Sequence, residues 1–223
     1  MIISPIQKPL YVVTSVFNPC RFKSRYKLYK AFEKQVEDAG AKLYTIECAV
    51  GERPFEVTSP GLINNDQVRT FSELWFKENM LNLAIQNLPS DWEYVAWIDA
   101  DITFSRPDWV QETIQQLQHY QFVQMFSHAV DLGPNGQPLK THKGFFYSWC
   151  NNLPLGGEYY EKNHPGFAHA ARREALDHVG GLIDWAVLGS ADRHMAAALI
   201  GEAQSTLNRN LTKEYKDMIL EWQ

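Results

Sequence analysis

Hydrophobic positions along the chain alternate between short dense runs and longer stretches with helical spacing. Leu10-Tyr11-Val12-Val13-Thr14-Ser15-Val16 is a β-branched run closed by Asn18-Pro19, which predicts a strand. From Arg21 to Ala39, the residues Phe22, Tyr26, Tyr29, Phe32 and Val36 recur on one helical face, and Gly40 supplies the stop. A second strand is predicted over Leu43–Val50, ended by Gly51. The stretch from Glu52 to Thr70, with Pro54, Pro60, Gly61 and Asn64-Asn65, reads as polar and irregular. Ser72 then offers a cap for a helix carrying Leu74, Leu81, Ile85 and Leu88 inward. Tyr94–Ile98 is a strand, Pro107 opens a helix with Val110, Ile114 and Leu117 inward, and Phe122–Phe126 is a further strand. This alternation predicts an α/β fold with a mostly parallel central sheet and helices on both faces.

The second half changes character. Residues 131–163 are rich in Gly, Pro, Asn and aromatics, which suits a long excursion at an active site. Phe167–Ala171 predicts a short strand, Arg172–Val179 a helix stopped by Gly180-Gly181, and Asp192–Ile200 the last amphipathic helix before a polar tail with a weak helical pattern. No repeat, low-complexity tract or linker divides the chain, so one domain is expected over residues 1–223.

The candidate chemistry is concentrated where Tyr94-Val95-Ala96-Trp97-Ile98 runs into Asp99-Ala100-Asp101. Ligands of open α/β sheets bind beyond the carboxyl ends of the strands. On a regular strand, Asp99 and Asp101 would share a face, and two ionised carboxylates there repel unless a cation lies between them. A divalent metal carrying a phosphorylated substrate is the simplest reason for such a pair.

Composition narrows the setting. With 45% apolar and 21% charged residues the chain is globular. A net charge of −5 provides no global attraction to nucleic acid or anionic lipid. Cys20, Cys48 and Cys150 are far apart and show no metal-ligand spacing, so free thiols in a reducing compartment are expected. The N-terminus, Met1-Ile2-Ile3-Ser4-Pro5, lacks the regions of a signal peptide, and no run is long enough to span a bilayer. A soluble cytoplasmic protein follows as the expectation.

Three ordered pieces resemble the GT-A class of nucleotide-sugar glycosyltransferases, close to the family-2 type. Asp99-Ala100-Asp101 resembles the DxD metal motif. Lys77-Glu78-Asn79-Met80-Leu81-Asn82 is similar to the Lys-x-x-x-Leu-Asn segment. Gly166–Arg173, then Gly180–Asp184, then Ser190-Ala191-Asp192, resembles the acceptor-side block ending in a catalytic acid. The resemblance covers Tyr11 to about Gly201 and implies a single GT-A, Rossmann-like domain. Residues 1–130 would form the nucleotide-sugar-binding half and 131–223 the acceptor-side half.

The resemblance also implies roles. Asp99 and Asp101 would hold Mn²⁺ or Mg²⁺ between the phosphates of a UDP- or GDP-sugar, with Ala100 beside them. Thr14, Ser15 and Phe17 would line the nucleoside pocket, with Glu47 accepting from a ribose hydroxyl or base N–H. Arg69 and Lys77 would supply positive charge near the phosphates. Asp192 would be the base that deprotonates an acceptor hydroxyl, on a glycan or another molecule, in an inverting reaction. His194 would complete the metal shell; otherwise the chain is a fragment lacking a later histidine.

Plainer roles exist for most of these residues. Lys77-Glu78 serves equally as an exposed ion pair, Glu47 as a solvated strand end, Asp192 as a helix cap, and His194 or His169 as structural histidines. Arg172-Arg173 suits a solvated helix end. Trp149 and Trp185, in loop-like settings, could stack on a sugar. A rival reading takes Asp99-Ala100-Asp101-Ile102-Thr103 as the DxDxT strand of a haloacid-dehalogenase-like phosphatase, with Asp99 as nucleophile. A third is a silent nucleotide-sugar-binding domain.

Overall fold

The computed structural model describes residues 8–155 and 163–223, so the Met1–Pro5 reading and part of the 131–163 excursion lie outside the described residues. In chain order the elements are β1 (Leu10–Phe17), α1 (Lys23–Asp38), β2 (Lys42–Val50), β3 (Asn65–Thr70), α2 (Lys77–Gln86), β4 (Tyr94–Ile98), α3 (Trp109–Leu117), β5 (Phe122–Gln124), β6 (His128–Leu132), β7 (Pro138–Gly144), α4 (Phe145–Cys150), β8 (Asn163–His164), β9 (Ala168–Arg172), α5 (Arg173–His178), α6 (Ala191–Leu199) and α7 (Lys213–Trp222). A 3-10 turn, Ala203–Thr206, lies between α6 and α7.

Six strands form the central sheet in the order β3-β2-β1-β4-β9-β5. β3, β2, β1 and β4 are mutually parallel, whereas β9 runs antiparallel to both β4 and β5. The order reverses between β1 and β4, and the loops leaving those two strands diverge to open a crevice at their carboxyl ends. A small second sheet, β6-β7-β8, comes from the 131–163 excursion and the residues just before it.

Period-2 alternation sorts the strand residues between two apolar layers. Leu10 and Val12, Leu43, Ala96 and Ile98, and Ala168 and Ala170 pack with Phe32 and Val36 of α1 and Val110, Ile114 and Leu117 of α3. Val13, Tyr44 and Ile46, Val95 and Trp97, and Ala171 pack on the other face against α2, α5 and α6. The four central strands are therefore apolar on both faces, as a covered parallel sheet demands.

Two local expectations fail for identifiable reasons, and a third element is firmer than its pattern. Asn65–Thr70, within the supposed irregular stretch, is edge strand β3; its polar sequence suits an edge with one partner, β2. Ser72 does not cap α2; its hydroxyl accepts from the Leu74 amide, and the helix begins five residues later at Lys77. The weak helical pattern of the polar tail is realised as α7, capped by the Thr212 hydroxyl and buried at Ile219.

Thr14 joins the strands at the order reversal. Its side chain is fully buried and donates to the Ile98 carbonyl, 2.7 Å away across the β1–β4 seam. Thr14→Val keeps the volume but leaves that carbonyl without the hydroxyl, so the variant should lose about 1–2 kcal/mol of stability in urea unfolding. A loss within error would show that the bond does not brace the seam.

Candidate functional site

β4 ends at Ile98, and Asp99 begins a tight turn closed by the Ile102 amide donating to the Asp99 carbonyl, 3.2 Å. Asp99 and Asp101 therefore do not share the face of a regular strand. Asp99 continues the parity of Val95 and Trp97 and meets Lys77 of α2 in an ion pair. Ala100 turns to the opposite layer, against Val16, Tyr29 and Val57, and Asp101 stands out from the surface. A lysine in the first turn of a helix opposes the helix dipole, so its place there rests on the facing carboxylate.

The second half of the chain supplies the facing wall. The Asp99 amide donates to the Phe167 carbonyl at 2.9 Å, extending the β4–β9 pairing to the crevice mouth. Phe167 has φ +72, a left-handed conformation that is unusual for an aromatic residue. Its ring stacks on His164 with centroids 3.7 Å apart. Beside it, a β-carbon on Gly166 would lie 2.6 Å from Asp192 Oδ2, so glycine is needed for Asp192 to approach. Asp192 sits in the first turn of α6 behind Ser190, itself at φ +72, and accepts from the Arg193 amide at 2.7 Å. Two strained residues thus flank the place where Asp99 and Asp192 approach one another.

The resembling pieces also meet through Asn82 of α2. Its amide donates to the Leu182 carbonyl (3.0 Å) and to Asp184 (3.1 Å) and accepts from the Leu182 amide (2.9 Å). Residues one hundred apart in sequence are fixed together by that side chain. The Trp222 indole adds a bond to the Gly181 carbonyl at 3.0 Å.

Beneath the mouth lies a crevice of ≈ 500 Å³, including its open end, lined by Glu78, Trp97, His169, Asp192 and Trp222 among others. Glu78, far from being an exposed ion-pair residue, is buried, and burial, reinforced by Asp192 and Asp99, pushes its carboxyl up to about 7 despite Lys77. Burial opposes the charge on Lys77, yet Asp99, then Glu78 and Asp192, hold its pKa above the ordinary value. The surrounding protein and then Asp99 raise Asp101, with Arg25 pulling the other way. His169 is stacked on Trp97 (5.6 Å), donates to the Pro165 carbonyl (2.6 Å), and is lowered by burial to about 4, so it is neutral. A second hollow of ≈ 340 Å³, bordered by Val16, Asn18, Arg53 and Glu56, lies at the ends of β1 and β2.

Several expected ligands are engaged elsewhere. Thr14 is spent on Ile98, leaving the half-buried Ser15 and Phe17 at the end of β1; Phe17 packs on Phe76 at 6.3 Å. Glu47 is a buried anchor, accepting from the amides of Glu56 (2.7 Å), Val57 (3.0 Å) and Thr58 (2.9 Å) and from the Thr58 hydroxyl (2.8 Å). These bonds fix the loop that borders the second hollow, which Glu47 itself lines. Arg69 donates to the carbonyls of Gly51 (2.7 Å) and Arg53 (2.6 Å) and lies over Phe55, so it braces the β2–β3 loop. His194 is buried, bonded to the Thr206 hydroxyl at 2.7 Å and packed on Tyr215. Among the described residues no three acidic, histidine or cysteine side chains converge as a metal shell, so His194 does not join Asp99 and Asp101. Trp185 packs on Tyr215 at 5.1 Å, and Trp149 is exposed; the crevice instead holds Trp97 and Trp222.

No family model and no curated protein matches the sequence. Solved structures similar to the chain include nucleotide-diphospho-sugar transferases. One is a mutant of the Drosophila β-1,4-galactosyltransferase 7 in complex with manganese, UDP-Gal and xylobiose: 13% identity, TM-score 0.42, covering 92% of this chain and 66% of that one. Another is a nucleotide-diphospho-sugar transferase from Desulfovibrio desulfuricans G20: 14% identity, TM-score 0.41, covering 86% of this chain and 76% of that one. A third is 4-diphosphocytidyl-2C-methyl-D-erythritol synthase from Anaerococcus prevotii: 9% identity, TM-score 0.44, covering 97% and 96%. The chain thus spans just under two thirds of the first of these proteins. Among the described residues no helix is long and apolar enough to cross a membrane.

Glu78 is the functional candidate that the sequence pattern passes over, because its neighbour Lys77 makes the pair look solvated. The signal lay in α2 itself, where Met80, Leu81 and Ala84 bury the helix against the sheet. Glu78 and His169 carry opposite pH signatures. His169 contributes stability that is lost as pH falls from about 6.5 toward about 4. Glu78 stays protonated in the folded chain up to about pH 7, whereas the unfolded chain ionises earlier. Its contribution is whole below the unfolded value and lost as pH rises through the folded one. Glu78→Gln lacks this term, so its stability relative to the native chain should improve by about 2–3 kcal/mol between pH 5 and pH 8. Urea unfolding at both pH values measures this, and a pH-independent difference would refute the raised carboxyl.

Proposed function

We propose that the protein is a metal-dependent glycosyltransferase that moves a sugar from a nucleotide-diphosphate donor to an acceptor hydroxyl, with inversion. The observation that carries this reading is the approach of Asp192 to the Asp99 turn across Gly166-Phe167, at the point of strand-order reversal. Such a crevice is where α/β sheets bind nucleotides. The hollow at the ends of β1 and β2, lined by Val16, Asn18, Tyr26 and Glu47, suits a nucleoside.

Asp99 and Asp101 are hard oxygen donors suited to Mn²⁺ or Mg²⁺. Burial and then the neighbouring Asp99 raise Asp101, with Arg25 and Lys77 pulling the other way, and a divalent cation between the two carboxylates would favour their charged forms. When bound, the metal neutralises negative charge growing on the departing diphosphate. Lys77, freed from Asp99, is placed to hold a phosphate oxygen. Asp192 is half-buried in the crevice wall, where it would take the proton of the acceptor hydroxyl. The apolar lining below excludes competing water.

The phosphatase reading needs a later strand ending in an acid. Among the described residues none of β5 to β9 ends so, and Leu188-Gly189-Ser190 is a loop entering α6. A silent binding domain would bind the donor without transferring its sugar.

A thermal-shift screen of UDP- and GDP-sugars with and without Mn²⁺ tests the donor side. Selective, Mn²⁺-dependent stabilisation is expected, and Asp101→Asn should abolish the Mn²⁺ dependence with the fold intact. No nucleotide sugar stabilising the native chain would sink the reading. On the acceptor side, Asp192→Asn should retain donor-induced stabilisation and lose on the order of a hundred- to ten-thousand-fold in transfer rate. Transfer near the native rate would place the base elsewhere.

A further inference from the structure

Glu78 lies in the first turn of α2 with 6% of its surface exposed. A carboxyl buried to this extent is ordinarily met by an arginine, a lysine or several N–H groups, because leaving its oxygens unpaired is costly. Here the described residues provide one bond, from its own backbone amide. The adjacent Lys77 ammonium is directed to Asp99 instead. Phe76, at the cap position, brings no side-chain hydrogen bond to the helix start.

The Glu78 side chain borders the ≈ 500 Å³ crevice, which Asp192 also lines from α6. The remaining lining is largely apolar, with Trp97, Phe122, Met195 and Trp222, beside His169 and Lys77, whose ammonium is paired with Asp99. A fitting occupant needs an apolar face for these walls and O–H donors for the carboxyl. Asp192 disfavours an anionic occupant, and the Lys77 ammonium, already paired with Asp99, offers it no free counter-charge. A neutral pyranoside has this combination, with axial C–H groups on its ring faces and hydroxyls around its rim.

We propose that Glu78 is a specificity-determining residue that accepts a hydrogen bond from a hydroxyl of a neutral pyranoside acceptor held in this crevice. The inference rests on the transferase reading for calling the pyranoside an acceptor, and it places Glu78 apart from the proton transfer assigned to Asp192. It also explains why a carboxyl is kept where an apolar side chain would pack at lower cost: its partner arrives with the ligand.

The test uses the full chain and saturation-transfer NMR with methyl β-D-glucopyranoside and methyl β-D-xylopyranoside, with glucuronic acid as the anionic control. The native protein should bind the neutral glycosides and not the acid. Glu78→Met, similar in volume and without an acceptor, should weaken glycoside binding by about tenfold or more. It should also raise Tm by about 2–4 °C, because a buried carboxyl without a protein partner has been removed. Glu78→Gln, which keeps an acceptor oxygen, should bind better than Glu78→Met. Unchanged glycoside binding in Glu78→Met, a lowered Tm, or no glycoside binding by the native chain would each overturn the proposal; a lowered Tm would make Glu78 a structural partner of Lys77. The UDP–Mn²⁺ thermal shift is read in the same samples. Its absence alongside Glu78-dependent glycoside binding would defeat the transferase reading and leave the glycoside site standing.

Discussion

Everything at the crevice depends on one reversed strand. β9 lies between β4 and β5 and runs against both, so its first residues, not its last, stand at the carboxyl ends of the parallel strands. The Asp99 amide and Phe167 carbonyl make the bond that carries this pairing to the mouth. That bond sets Phe167 against the Asp99 turn, at the end of a β4–β9 pairing that runs from Tyr94–Arg172 to Ile98–Ala168. Gly166, Phe167 and His164 are brought in by that reversal, and Asp192 is seated against Gly166. Arg172 and Arg173 are correspondingly carried to the far end, where they bond the Leu117 and Ser90 carbonyls and can reach no phosphate at the mouth.

Acidic groups outnumber basic ones around this mouth. Asp99, Asp101, Glu78 and Asp192 all act electrostatically on Lys77 or on one another. Lys77 relieves one of them through direct pairing. Glu78 answers the excess by holding its proton, and Asp101 by facing water. The neutral His164 and His169 add no positive charge at ordinary pH, since burial lowers both. The mouth is therefore acidic on balance, and under the proposed function that excess is what a bound cation would neutralise.

Much of the scaffold was legible because the covered strands are apolar on both faces and the helices carry regular inward stripes. β1, β2, β4, α1 and α3 all lie within a few residues of where periodicity places them. β3 escaped because an edge strand pairing on one side needs little apolar sequence, and the pattern of α7 was weak because only Ile219 of its stripe is fully buried. Site residues were legible by position along the strands and less so by role. Glu47 and Arg69 look like ligands in sequence, since charge near a strand end invites that reading, and in the fold both also hold loop backbone. Thr14 and His194 follow the same rule, each satisfied by a neighbour that no spacing announces. Glu78 is the converse case: a residue with an obvious partner beside it in sequence that loses that partner to Asp99 in space.

The excursion between β5 and β9 reaches the mouth through His142, whose ring meets His164 and Phe167, at 5.4 and 5.9 Å. Its hairpin, β6–β7, pairs with itself and touches the central sheet at few places. Closing a longer loop costs only about 0.6 kcal/mol for each doubling of its length. Lengthening or shortening this segment would therefore leave the scaffold's stability nearly untouched while changing what stands over the crevice. In chain-entropy terms the molecule separates a rigid half, which tolerates little change, from an adjustable one through which descendants of this sequence can alter what the site admits.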